Sequence, residues 1–369
     1  PYGNNHTWVE TLSRLRQYIQ KNGAKPLVLG ESIAADTWTN SKPLLDGLGQ
    51  DRPFWLPNYL EGNQEWLKRI QKLDGDVDLD RLERESKIYA MLMRKFQIET
   101  YRREVPNGGY VVSVIRDFPF ASMGMLDFLG KPKWSSDDWN WHSDSMLLLK
   151  TENDRRSFAS GEPLAADLML SHFGTLDIHD GALLISVVNE LTGEILYKQE
   201  QTLSHQSGTL GKIHGVNLTV PNVDQPIRVL VSAAIKTPDQ TIKNEWPIWI
   251  VPSTNRITRK DTLLHSSVSD EVAKELLLSF PRFTQTSDAL SNNAIVVATR
   301  FDRELLDFLE AGGRVLLLPD GKKSSMPLSQ EWFLRGGPYL SNHPLLNVIP
   351  RQLLVELQHF DLAGSVVPD

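Results

Sequence analysis

The sequence predicts a multidomain chain of three consecutive regions: α/β, then all-β, then α/β again. Three observations carry that order. Two apolar runs, Lys25-Pro26-Leu27-Val28-Leu29-Gly30-Glu31 and Gly109-Tyr110-Val111-Val112-Ser113-Val114-Ile115-Arg116, read as buried strands with strongly helical sequence between them. Residues 145–252 hold short alternating runs separated by turn signals. Residues 294–319 read as strand, helix and strand in succession. The expected boundaries are therefore 1–142, 143–252 and 253–369.

In the first region Trp8, Leu12, Leu15 and Ile19 fall on one helical face, and Asn22-Gly23 stops the helix. The first apolar run follows and ends in Glu31. Residues 32–62 carry Pro43, Gly47, Gly49, Pro53 and Pro57 and read as a long loop, aromatic-rich through Trp38, Phe54, Trp55 and Tyr59. A helix over 63–73 breaks at Asp74-Gly75, and a longer one runs over 79–103 on an inner stripe that includes Leu82, Tyr89, Met93 and Phe96. The second apolar run then ends in Asp117-Phe118-Pro119. Acidic residues at strand ends, with helices between the strands, are how a (β/α)8 TIM barrel presents a catalytic site. The first region is expected to be the C-terminal part of such a barrel.

The second region contains Pro163 to Leu170, Ala182 to Val188, Glu194 to Tyr197, Ile227 to Ala233 and Glu245 to Ile250 as strand candidates. That spacing predicts an immunoglobulin-like β-sandwich. In the third region Asp302 to Ala311 is a helix closed by Gly312-Gly313, between the strands Ala294 to Ala298 and Arg314 to Pro319. This is one βαβ unit of a parallel sheet, in an α/β accessory domain that reads as truncated.

Composition narrows the functional classes. Of 369 residues, 40% are hydrophobic and 23% charged, and the formal charge of −7 argues against a nucleic-acid partner, which favours a basic face. No apolar stretch is long enough to span a bilayer. There are no cysteines, so disulfides, thiolate catalysis and cysteine zinc sites are excluded. The nine histidines show no metal-ligand spacing, and no metal or cofactor is expected. The sequence assigns no oligomeric state.

Glu31 is the leading catalytic candidate, a carboxylate at a strand end; its plainer alternative is a turn cap or an arginine partner. Asp117 ends the neighbouring strand and is expected either to bind a sugar hydroxyl or to pair with Arg116 or another barrel residue. Trp38, Trp55 and Tyr59 are placed either as stacking platforms for sugar faces or as packing for the loop. Several signals are set aside. Asn189-Glu190 precedes a hairpin turn and belongs to the sandwich, Gly312-Gly313 is a helix cap rather than a phosphate loop, and His265 with Ser266-Ser267 makes no recognisable triad. Trp134, Trp139 and Trp141 are read as a staple between barrel exit and sandwich.

Together these stretches resemble glycoside hydrolase family 2, the β-galactosidase and β-glucuronidase group. Lys25 to Glu31 is similar to that family's seventh barrel strand. Gly109 to Phe118, with Gly124-Met125-Leu126-Asp127 and Gly130-Lys131-Pro132-Lys133, is similar to its eighth strand and barrel exit. Glu304 to Val315, with Asn342-His343-Pro344-Leu345 and Phe360-Asp361-Leu362, is similar to an accessory module of some bacterial members. The resemblance implies a hydrolase of carbohydrate metabolism, a retaining β-glycosidase cleaving O-glycosidic bonds of a β-galactoside or β-glucuronide-like substrate, with Glu31 as nucleophile and no cofactor. It places Tyr2 and His6 after the sixth strand, as hydrogen-bond donors to substrate, and it implies a periplasmic or extracellular location. The family's acid/base, a glutamate after an asparagine on the fourth strand, would lie upstream, so the chain is expected to be a C-terminal fragment inactive alone. Arg116-Asp117-Phe118 stands where many members carry a tryptophan, which bears on the substrate. The alternative is a non-catalytic carbohydrate-binding or scaffolding multidomain protein.

Overall fold

Leu12, Leu15 and Ile19 find their helical period in α1 (Asn5–Asn22), where Leu12 is wholly buried. The chain leaves α1 through Gly23, whose φ of +88° lies in the left-handed region that favours glycine. Then come β1 (Val28–Ile33), α2 (Lys42–Leu48), α3 (Asn58–Asp74), α4 (Leu79–Glu104) and β2 (Gly109–Val112). α4 starts where the Asp78 side chain accepts the Arg81 amide, a cap that satisfies one of the open N–H groups of a first turn. The loop expected over 32–62 is broken by α2, with Pro43 in a first turn where its missing N–H costs nothing.

The computed structural model describes residues 5–23, 27–48, 52–54, 56, 58–118, 121–253, 262–280, 283–285, 290, 294–318, 328–329, 339–357 and 367–368. They fall in two compact units, one of 1–251 with 333–362 and the other of 252–332 with 363–369.

In unit one, β1 and β2 are parallel neighbours, with Val28 opposite Gly109 and Leu29 opposite Tyr110. Among the described residues they form a two-stranded sheet, so β1 has a partner on one edge only. The fully buried strand expected there is corrected on this ground: Val28 is 62% exposed, and burial begins only at Ser32 and Ile33.

The sandwich comprises β3 (Ser145–Thr151), β4 (Ser157–Ala159), β5 (Pro163–His172), β6 (Ile178–Asn189), β7 (Ile195–His205), β8 (Thr209–Thr219), β9 (Ile227–Lys236) and β10 (Thr241–Val251). One sheet has the order β4-β10-β9-β6-β7 and the other β3-β5-β8. Alternate residues such as Leu147, Leu149, Leu168, Ile185, Val231 and Ile248 meet between the sheets as one apolar core. β3 is buried on both faces. Leu147 and Leu149 enter the sandwich core, while Met146 and Leu148 pack with Leu12, Phe96, Ile98 and Tyr101 of the helical layer. The boundary expected at 142/143 therefore falls inside a single core.

The helix Arg351–Leu357 also belongs to unit one, so the expected 253–369 region is not one continuous body. Leu353 and Leu357 pack on Trp249, whose indole N–H donates to Glu356 at 2.8 Å, and Glu356 also receives Arg228.

Unit two holds β11 (Thr262–Leu264), α5 (Asp270–Ser279), β12 (Thr284–Gln285), β13 (Ile295–Ala298), α6 (Arg303–Glu310) and β14 (Arg314–Leu317). The sheet is parallel throughout, in the order β12-β11-β13-β14. The expected unit Ala294 to Pro319 is present as β13, α6 and β14, with Asp302 capping α6 through the Leu305 amide at 3.0 Å. No helix among the described residues is long and apolar enough to cross a membrane.

Candidate active site

The register of β1 against β2 slips between Leu29 and Ile33, so more residues of β1 than of β2 occupy that interval. Glu31 stands in the resulting bulge with φ of +44°, a left-handed backbone that L side chains rarely adopt. Its side chain is exposed. A bulge re-aims a side chain, and backbone strain of this kind persists only where neighbouring structure enforces it. Here Ile33 is wholly buried beyond the bulge and its carbonyl accepts the Ser113 amide at 3.0 Å, pinning the strand end.

Beyond β1 the chain is welded to the segment that follows β2. The Thr37 amide donates to the Ser122 carbonyl at 3.1 Å, and Ser122 Oγ returns a bond to the Thr37 carbonyl. Lys133 closes the joint. Its ammonium donates to Thr37 Oγ1 at 2.8 Å, to the Ser122 carbonyl at 2.7 Å and to Asp117 Oδ1 at 2.7 Å, which uses all three of its donors. The Lys133 and Asp117 side chains are 2% and 1% exposed. Asp117 Oδ1 also accepts the Gly124 amide at 2.7 Å, and a Cβ at Gly124 would meet the backbone of Arg116 and Asp117.

Asp117 is thus an interior ion pair, and its partner is Lys133, not Arg116. The Arg116 guanidinium instead bonds the Phe128 carbonyl and lies over the Phe128 ring. The sugar-hydroxyl role expected for Asp117 is corrected accordingly, since a buried carboxylate held by Lys133 and Gly124 fixes the loop. Trp38 is corrected too. It is 0% exposed and packs with Leu67, Val77 and Leu82, so its ring presents no face to solvent. Of the remaining candidates, Tyr2 and Trp55 lie outside the described residues, as do the side chains of His6 and Tyr59.

Two further charged groups, Arg94 and Asp36, which the sequence reading did not name, adjoin this joint. Arg94 of α4 is completely buried, donates to the carbonyls of Ala35 and Met123, and lies 5.1 Å from the Trp134 ring centroid. Burial lowers its pKa to about 10. Lys133 is likewise lowered by burial, opposed by Asp117. Asp36 is partly buried, and loss of solvent raises its carboxyl to about 7 against the pull of Lys133. Its Oδ1 has no hydrogen-bond partner. A signal for it existed in the sequence: Asp36 follows Ala34-Ala35 and precedes Thr37-Trp38, an acidic residue in a small, apolar setting.

The tryptophans of the exit segment act as a staple. Trp139 and Trp141 stack at 5.4 Å, and Lys95 of α4 lies 4.9 Å from Trp141 and 5.1 Å from Trp246 of β10. Glu99 completes the joint, accepting from Lys95, Asn244 and the Trp246 indole. A cleft of about 970 Å³ opens between α4, this segment and the outer face of β6, β9 and β10, with Lys87, Trp134, Asp138, Lys243 and Glu245 on its walls. Glu31 does not line it.

One family profile, described as a domain of unknown function (DUF8488), matches residues 162–252, the greater part of the sandwich. Among curated proteins none matches the chain. Among solved structures, an exo-β-D-glucosaminidase, CsxA, is similar over 60% of this chain and 27% of its own, at 12% identity and a TM-score of 0.37. The β-glucuronidase of Parabacteroides merdae is similar over 47% of this chain and 23% of its own, at 14% identity and a TM-score of 0.21. Spo0M, a sporulation control protein of Bacillus subtilis, is similar over 30% of this chain and 50% of its own, at 14% identity and a TM-score of 0.20. The chain thus spans about a quarter of the two glycosidases and half of Spo0M. These are weak likenesses to glycoside hydrolases, among other folds.

Proposed function

We propose that this chain is the C-terminal part of a retaining β-glycosidase acting on a β-galactoside or β-glucuronide-like substrate, with Glu31 as its nucleophile. The observation that carries the reading is the bulge of β1. It presents an exposed carboxylate at the carboxyl end of a parallel strand, on a backbone strained to φ +44° and pinned by Ile33. The reading treats β1 and β2 as the last two strands of a (β/α)8 barrel and the sandwich as immunoglobulin-like.

Retaining hydrolysis needs a second carboxyl about 5–5.5 Å from the nucleophile, acting first as acid and then as base. The family resemblance assigns that group to residues preceding Pro1. Glu31 would attack the anomeric carbon as the leaving oxygen takes a proton from the second carboxyl. Water would then release the sugar from the glycosyl ester on Glu31. The joint made by Lys133, Asp117, Thr37 and Ser122 would hold the strand ends in register without touching sugar.

The test is trapping with a 2-deoxy-2-fluoro β-glycoside on the protein extended upstream by the barrel strands. A covalent adduct on Glu31, and loss of turnover in Glu31→Gln, are expected. Normal rates in Glu31→Gln would overturn the nucleophile assignment. Sugar binding with no adduct would favour a non-catalytic carbohydrate-binding protein.

A further inference from the structure

The cleft of about 970 Å³ in unit one has a floor whose layout follows from strand register. β6, β9 and β10 send Ile185, Val187, Val231, Ala233, Trp246 and Ile248 into the sandwich core, so the residues between them face outward. Those outward residues form three rows across the strands. Leu184 stands opposite Ala234, and Ala234 opposite Lys243. Ser186 stands opposite Ser232, and Ser232 opposite Glu245. Val188 stands opposite Leu230, and Leu230 opposite Pro247. A polar row thus crosses the floor between two largely apolar ones, with neighbouring Cβ atoms about 5 Å apart.

The walls add Ile88, Met91 and Leu92 from α4 and Trp134 from the exit segment. The Trp134 indole is fixed, donating to the Lys87 carbonyl at 3.2 Å with Arg94 against its ring. Ser186 and Ser232 are half-buried, and among the described residues their hydroxyls make no hydrogen bond. Several charges of the cleft are already paired: Lys87 with Glu83, Arg228 with Glu356, Lys95 with Glu99 and Lys133 with Asp117. Arg84 and Lys243 stay without an ion pair among the described residues, against Asp80, Asp137, Asp138 and Glu245, all of them exposed.

That lining selects its ligand by exclusion. An anion meets more open carboxylates than open cations. A cation finds only exposed carboxylates, which bind weakly in water and salt, and it uses neither the hydroxyls nor the apolar rows. An apolar helix would bury the row of Ser186, Ser232 and Glu245 without partners. An extended peptide has no strand edge to join, because β6 and β9 are paired on both sides. A saccharide meets every part of the surface. Its C–H faces pack on Leu184, Leu230 and Trp134, and its hydroxyls donate and accept as the polar row requires. The volume lies at the upper end of the roughly 300–1,000 Å³ of small-ligand sites.

We propose that this cleft binds a short neutral oligosaccharide, with Ser186, Ser232 and Glu245 as its hydrogen-bonding row. Glu31 does not line the cleft, so the site stands whether or not Glu31 is a nucleophile.

The test uses the full chain and four neutral probes, cellotriose, xylotriose, chitotriose and β-1,4-galactotriose, in saturation-transfer NMR and calorimetry. Trigalacturonate and spermidine serve as the anionic and cationic probes. Ala234→Phe fills the floor with an outward ring, and Ser186→Ala with Ser232→Ala deletes both hydroxyls without entering the core. At least one neutral probe is expected to bind saturably, roughly tenfold more weakly in the double serine variant and undetectably in Ala234→Phe, with both Tm values unchanged. Glu31→Gln is expected to bind that probe as the parent does. Binding by none of the neutral probes overturns the proposal. So does binding that survives Ala234→Phe; if that binding is lost in Glu31→Gln, the sugar sits at Glu31 instead. Tighter binding of trigalacturonate or spermidine than of every neutral probe overturns it as well.

Discussion

Arg103 of α4 grips Asp154 in a two-pronged ion pair, Nη1 to Oδ1 at 2.9 Å and Nη2 to Oδ2 at 2.7 Å, with both side chains buried. Asp154 follows β3, so this pair ties the longest helix of unit one to the sandwich. Burying two charges is costly, but removing one partner is costlier, because the other is left uncompensated. Arg103→Ala is expected to destabilise unit one by about 3–5 kcal/mol in urea unfolding. The double replacement Arg103→Met with Asp154→Leu should recover most of that loss.

Asp36 makes stability depend on pH. The folded state holds its proton up to about pH 7, whereas the unfolded chain releases it near 3.8. Between those values the folded state binds more protons, so this contribution weakens as pH rises, by at most about 1.4 kcal/mol per pH unit, and is flat above and below the window. Asp36→Asn should flatten that slope and stabilise the protein above neutrality. Unfolding curves at about pH 5 and about pH 8 check both statements. Equal pH dependence in variant and parent would remove Asp36 from the account.

Glu31 carries a backbone cost that a glycine would relieve. Its φ of +44° is left-handed, a conformation that costs an L residue roughly 1 kcal/mol and glycine almost nothing. Glu31→Gly is expected to melt above Glu31→Ala, since both remove the same side chain and only glycine adopts this backbone freely. A Tm in Glu31→Gly equal to or below that of Glu31→Ala would remove the backbone cost from the account.

The helix stop of α6 offers a test confined to unit two. Gly312 has φ of +86°, and a Cβ at Gly313 would overlap the Phe308 ring. Gly312→Ala is expected to cost about 1 kcal/mol, and Gly313→Ala more, because Phe308 belongs to the core with Leu305 and Val296. Hydrogen exchange should show the loss in β13, α6 and β14, with the amides of β5 and β9 unaffected.

The sequence by itself determined the elements whose signals are local. The span of α4, the glycine stop of α6, the strand β13 and the sandwich strands β5, β6, β7, β9 and β10 were legible, because each rests on periodicity or on backbone limits of single residues, whereas β3, β4, β8 and the Asp302 cap are seen only in the structure. It marked Glu31 as a strand-end carboxylate, and it kept Asn189-Glu190 within the sandwich, where Asn189 ends β6 and Glu190 pairs with Arg228.

Tertiary structure alone decided which groups meet. Lys133 takes Asp117 from sixteen residues away, Glu99 serves β10 across a sequence separation of 147, and Glu356 returns to Trp249 across 107. Trp38 and Asp117 became interior for the same reason, since burial is set by what packs over a residue. Likewise His265 and Asp302 carry no pattern in sequence, and they become neighbours only because β11 and β13 lie side by side. Local propensity acts over a few residues of chain. Hydrogen bonds, ion pairs and exclusion of water act through space, and only the folded chain sets those distances.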